Sequence, residues 1–205
     1  CRGALDRTGD SLWRLLAGGF VITLVEVGPR DGLQSEPKVL SLHERAEYIT
    51  RAINAGLRRV EAVSFVNPKR VPQMAEAEGL MALLPRREDV SYSGLALNER
   101  GAERAVAAGV DEVNYVVIST DTYNRANQGC ATEETLAQWD RVAEICAKAG
   151  IPTTVTIAAS FGCPIEGEVS ERRVAELAVA ISRNHPKEIA LADSIGVATP
   201  VDITR

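Results

Sequence analysis

The chain has 205 residues, 45% of them hydrophobic and 25% charged, which suits one folded domain with a substantial core and does not resemble a disordered segment. Its formal net charge of −5 arises from interspersed acids and bases, so there is no basic footprint for nucleic acid and no polybasic patch for a membrane surface. No apolar run approaches the ~18 residues of a membrane span, and Cys1, Cys130, Cys146 and Cys163 form no CxxC pair, so a reducing cytoplasm is expected rather than a zinc site or disulfide framework.

Residues 1–20 include Leu12-Trp13-Arg14-Leu15-Leu16, but Asp6, Asp10 and Arg14 interrupt the apolar run. They lack the continuous core of a secretory signal and read as a lead-in, with one domain over 21–205. Strands are expected over 21–27, 59–63, 91–97, Glu112–Ile118, Thr153–Ala158 and 188–192, most of them nearly continuous in apolar residues, as in parallel strands covered on both faces.

Helix signals fall between the strands. Ser41 with Glu44 reads as a capping box for a helix closed by Gly56, and Asn98 caps a stretch ending near Gly109. A weaker helical pattern runs from Pro72 to Leu84. Thr132 caps a helix ending at Gly150, and Ser170 caps one that stops near Arg183, before Pro186. The stretch from Ser119 to Asn124 reads as a loop.

Alternating strands and helices imply βα units around a parallel sheet. A doubly wound sheet would show a Gly-rich phosphate turn after its first strand, and Gly28-Pro29-Arg30-Asp31-Gly32 is not that fingerprint. A (β/α)8 TIM barrel carries its chemistry at the C-terminal strand ends, where polar groups do fall here. The barrel is favoured, with about six of its eight units present.

Arg30 and Asp31 follow the first strand between glycines and behind Pro29. Side by side in one loop, they are expected to face separate partners rather than each other. Asp31 has the oxygen chemistry of a Mg²⁺ or Mn²⁺ ligand, and Arg30 can stabilise an enolate; a helix cap and a surface ion pair are the plainer alternatives. Glu61 sits inside an apolar strand, where a carboxylate needs a metal-site role or an ion-pair partner. Asp193 ends the sixth strand and suits either a substrate hydroxyl or a cap for the segment after it. His43 and His185 read as surface groups, Cys163 as a packed thiol, and Trp139 and Met74 as core residues.

The run from Val25 through Gly28-Pro29-Arg30-Asp31-Gly32-Leu33-Gln34 closely resembles the signature of the hydroxymethylglutaryl-CoA lyase family. Further matches follow in order: Val60-Glu61, Ser64-Phe65-Val66-Asn67-Pro68-Lys69, Phe161-Gly162-Cys163-Pro164 and Asp193-Ser194-Ile195-Gly196-Val197-Ala198-Thr199-Pro200. The resemblance spans roughly residues 20–204. It implies a metal-dependent TIM barrel that cleaves a 3-hydroxy-3-methyl acyl-CoA into acetyl-CoA and a 3-oxo acid. Asp31 would ligate a divalent cation, Arg30 would stabilise the thioester enolate, Glu61 would support the metal site, Asp193 would face the substrate hydroxyl and Gln34 would lie near the substrate. The expected partners are an acyl-CoA and, for the complete protein, a second copy in a homodimer.

There are departures. Thr156, a substrate-binding candidate, stands where a substrate-contacting tyrosine is expected. The stretch from Ser119 to Asn124 differs from the usual pattern, and Lys38 is shifted by one position. The family's His-x-His and Asn ligands and its catalytic cysteine would all fall beyond Arg205, and Cys163 is not that cysteine. Two alternatives stay open: a Claisen-type condensing synthase of the same superfamily, and a catalytically incomplete barrel.

Overall fold

The computed structural model describes residues 22–204, so the expected lead-in over 1–20 lies outside the described residues. Six strands form one parallel sheet in strict chain order: β1 (Val25–Glu26), β2 (Arg59–Ser64), β3 (Ser91–Leu95), β4 (Glu112–Ile118), β5 (Thr153–Ala158) and β6 (Glu188–Leu191). Each crossover therefore steps the same way, whereas a doubly wound sheet reverses its order partway.

The sheet is curled. In a flat sheet β2 and β6 would stand roughly 19 Å apart, four spacings of ~4.8 Å. Instead Arg59 Nη1 on β2 donates to Glu188 Oε1 on β6 at 2.8 Å. Arg59 also reaches Glu112 Oε1 on β4 at 2.6 Å and Thr154 Oγ1 on β5 at 3.2 Å. Glu112 accepts in addition from Thr154 at 2.7 Å and from Lys187 Nζ at 3.0 Å. This charged cluster closes the interior at the N-terminal ends of the strands.

Helices cover the outer face: α1 (Leu42–Asn54), α2 (Ala77–Leu83), α3 (Glu99–Ala108), α4 (Asp121–Gln128), α5 (Thr132–Ala149) and α6 (Glu171–Ser182), with a short α7 (Pro200–Thr204) after β6. Alternate strand residues Val60, Tyr92, Tyr115, Val155 and Ile157 point outward into a core with Ile49, Leu80, Trp139 and Leu177. Tyr115 and Trp139 pack with ring centroids 5.5 Å apart, and the Trp139 indole N–H donates to the Ile181 carbonyl. No helix among the described residues is long and apolar enough to cross a membrane.

The capping box at Ser41 and the caps at Asn98 and Ser170 form as expected. Several boundaries differ. The first strand is confined to Val25–Glu26, because residues 22–25 lie exposed at a sheet edge. The third strand ends at Leu95 rather than at residue 97. Ala131, not Thr132, precedes the long helix; Thr132 is buried, its N–H bonded to Asp121 and its hydroxyl to the Ile118 carbonyl. The expected loop at Ser119–Asn124 instead opens α4. Between Pro72 and Leu84 a 3₁₀ turn, Pro72–Met74, precedes α2.

Candidate functional site

At the C-terminal ends of the strands a cavity of about 960 Å³ opens, lined by residues from several loops. Its first wall is the turn after β1. Pro29 is buried, and the Asp31 N–H reaches back to the Val27 carbonyl at 2.7 Å. The Leu33 N–H bonds the Gly28 carbonyl, the wide closure of a π-helical turn over Gly28–Gly32. Glu26 Oε1 accepts from the Gly28 N–H at 2.6 Å. A Cβ at position 28 would run into this carboxylate and the Tyr48 hydroxyl, so both side-chain ends would have to give way to any larger residue.

The turn carries Arg30 into the cavity wall. Its Nε and Nη2 both donate to Glu61 Oε2, at 2.9 and 2.5 Å, while Nη1 donates to Asp31 Oδ1 at 2.9 Å. The expectation that neighbouring Arg30 and Asp31 would face separate partners is thus corrected: the tight turn lets one guanidinium bridge both acids. The Glu61 side chain is 3% exposed and that of Asp31 64%. The sheet register shifts between Glu61 and Val63, next to the acid that holds Arg30.

Beneath Arg30 a polar path crosses the interior. Asn114 Nδ2 donates to Glu61 Oε1 at 2.8 Å, and Thr156 Oγ1 donates to Asn114 Oδ1 at 3.1 Å. Of the six sequence candidates, Arg30, Asp31, Gln34, Thr156 and Asp193 line the cavity; Glu61 lies below it as the support of Arg30. The cavity is also lined by Asn67 and by the cap residue Asn98, and by Arg70, Arg100 and Arg141, which the sequence did not single out because an arginine in a loop or along a helix is unremarkable.

Asp193 is held from the backbone. Its Oδ2 accepts from the Ala198 N–H at 2.8 Å, and this bond above all, with those of Val197, Gly196 and Ile195, keeps the carboxyl below the usual aspartate range. Its Oδ1 is buried with no partner among the described residues. The expected cap thus forms, on a side chain that also lines the cavity.

Just after β5, Ala159 adopts a left-handed φ of 56°, a strained setting for a residue with a Cβ. The Ser194 hydroxyl accepts from its N–H at 2.9 Å and the Ser119 hydroxyl donates to its carbonyl at 2.8 Å, so both sides of the residue are pinned. Cys163 is buried as expected, yet its sulfur is 3.0 Å from the Thr120 hydroxyl and accepts from the N–H groups of Ile165 and Glu166. Burial pushes this thiol up, but those hydrogen bonds together outweigh it and hold it below the usual cysteine value. His43 and His185 are exposed, and Trp139 and Met74 are buried.

No group of three or more His, Cys, Asp or Glu side chains that could hold a metal occurs among the described residues. Asp31 Oδ1, moreover, already accepts from a guanidinium. The described residues therefore do not by themselves fit a divalent-cation site.

Comparison with known proteins bears on this geometry. The chain is 41% identical over 195 residues to a (R)-citramalyl-CoA lyase of Chloroflexus aurantiacus, covering 89% of this chain and 61% of that one. It is 38% identical over 179 residues to the mitochondrial hydroxymethylglutaryl-CoA lyase of Rattus norvegicus, covering 87% and 55%. Among solved structures, a hydroxymethylglutaryl-CoA lyase from Pseudomonas aeruginosa superposes with a TM-score of 0.83 at 35% identity, over 87% of this chain and 59% of that one. An HMG-CoA lyase from Acinetobacter baumannii, in complex with coenzyme A and 3-methylmalate, gives 0.86 at 36% identity over 89% and 60%. The chain thus spans between about half and three-fifths of these relatives, and its curled sheet is the corresponding part of their TIM barrel. The HMGL-like family model matches residues 21–205, and with the Arg30–Asp31 turn standing at the head of the cavity, this chain belongs to the HMGL-like family.

Proposed function

We propose that this protein is a carbon–carbon lyase. It cleaves a 3-hydroxy acyl-CoA resembling 3-hydroxy-3-methylglutaryl-CoA into acetyl-CoA and a 3-oxo acid, acetoacetate, with residues 21–205 forming part of one lyase domain. The observation that carries this reading is Arg30, a guanidinium fixed in the wall of a polar cavity by the buried Glu61.

Retro-Claisen cleavage removes the proton of the 3-hydroxyl and breaks the bond between C2 and C3. The electron pair of that bond moves into the thioester as an enolate, which takes up a proton at carbon to give acetyl-CoA. Arg30, held with its charge facing the cavity, stabilises the oxygen on which that negative charge grows. Asp193, ionised at neutral pH, offers the unpartnered Oδ1 as an acceptor for the substrate hydroxyl. Gln34 and Thr156 supply polar contacts from the cavity wall.

A divalent cation, Mg²⁺ or Mn²⁺, belongs to the proposal: the exposed Asp31 carboxylate would give it one oxygen and its other ligands would lie outside the described residues, and when bound it would polarise substrate oxygens. The cytoplasm is the proposed location, supported by the unpaired thiols of Cys130, Cys146 and Cys163, and a homodimer is the proposed form of the complete protein.

The test is acetyl-CoA release from hydroxymethylglutaryl-CoA and citramalyl-CoA side by side, with Mg²⁺ or Mn²⁺ added. Arg30→Gln is expected to lower kcat by about 10²–10³ with a smaller effect on KM. Turnover near the native value without Arg30 would defeat the reading.

A further inference from the structure

Asn114 lies on β4, two strands from Glu61 on β2. On the strand between, Ser93 pairs opposite Glu61 and is too short to fill the interior. The Asn114 amide therefore spans β3 to reach Glu61 Oε1. The direction of each bond in this path is forced. A carboxylate that holds Arg30 offers only acceptors, so the amide must present its nitrogen to Glu61. Its oxygen then faces Thr156, and the Thr156 hydroxyl must donate.

We propose that Asn114 and Thr156 are positioning residues acting in series. Thr156 sets the orientation of the Asn114 amide, and Asn114 occupies Glu61 Oε1. Glu61 then takes both Nε and Nη2 of Arg30 on the single oxygen Oε2, leaving Nη1 for Asp31 at the cavity. Without the amide, Oε1 would be a buried unpaired acceptor on a side chain 3% exposed. It would then turn to share Arg30 in a two-oxygen fork, the geometry that guanidinium and carboxylate prefer, and pull the cation out of its present pose.

The test is a mutant cycle of Asn114→Leu, Thr156→Val, the two combined, and Thr156→Ser. The first readout is the Arg30 Nε–H resonance in ¹⁵N-labelled protein, which needs no activity. Asn114→Leu and Thr156→Val should each displace it, the double variant should displace it no further than Asn114→Leu, and Thr156→Ser should leave it at the native position. The second readout is acyl-CoA cleavage, where the same two variants should lower kcat about tenfold or more with KM within about twofold, and serine should restore it.

A resonance unmoved by Thr156→Val, or effects that multiply in the double variant, overturn the relay. Thr156→Val keeps the size of the native side chain and carries the test alone if Asn114→Leu does not fold. Should the native protein cleave no acyl-CoA, the lyase reading fails while the resonance still decides the relay.

Discussion

Glu112 shows how much a single buried acid contributes. Its side chain is 3% exposed, and burial, the largest influence on it, pushes its carboxyl up. Hydrogen bonds from Thr154, Arg59 and Lys187 together outweigh burial and hold it below the ordinary value of 4.5. Because the folded carboxyl is the stronger acid, its contribution is complete above the ordinary value and is lost as pH falls through the lowered one. Urea unfolding should therefore show stability falling as the solution is acidified below 4.5. Glu112→Gln should flatten that fall and cost about 3 kcal/mol at neutral pH, since it leaves Lys187 without its acid and Arg59 with only the half-exposed Glu188. An unchanged pH slope in the variant would contradict this assignment. Residues of this kind were hard to read in the sequence. Arg30, Asp31 and Asp193 stand out because they follow apolar strands, whereas Glu112 and Asn114 alternate with apolar residues as any half-exposed strand does. Only the curl of the sheet shows that their polar face is an interior.

At the scale of elements, the turn after β1 depends on the absence of a side chain at Gly28. Gly28→Ala would press a methyl group against the Tyr48 hydroxyl and the Glu26 carboxylate and shift Arg30 with the turn. A loss of about 1–2 kcal/mol in stability is expected, with a fall in turnover of about tenfold or more. Tyr48→Phe in the same chain should recover part of both by making room. Melting curves and kcat would check this, and native turnover in the alanine variant would refute it. Elements with local chemistry at their ends were legible: Ser41, Asn98 and Ser170 each bond a backbone N–H in the first turn. The helix Asp121–Gln128 was not, because it begins at Thr120 without a side-chain cap bond and buries only Asn124. The first strand was overextended because an apolar run at a sheet edge reads the same as one in the middle.

For the whole molecule, the number of strands and the parallel sheet were legible from alternating patterns, and the strict order β1 to β6 excludes the doubly wound rival. The closure at the strands' N-terminal ends was not, since nothing local links Arg59 to Glu188, 129 positions away. That separation sets the order of assembly. Each strand pairs with the one made just before it, so the sheet can grow by short steps as the chain emerges, one unit docking on the last. The Arg59–Glu188 contact must wait until β6 has formed, so its loop-closure entropy is expected to be paid after the rate-limiting barrier. Glu188→Gln should consequently speed unfolding by roughly fivefold, equivalent to about 1 kcal/mol, and leave the refolding rate unchanged. Stopped-flow traces in urea separate the two arms, and a slowed refolding arm would mean that the ring closes early. The same contact that marks the sheet as curled is, in time, the latch fastened last.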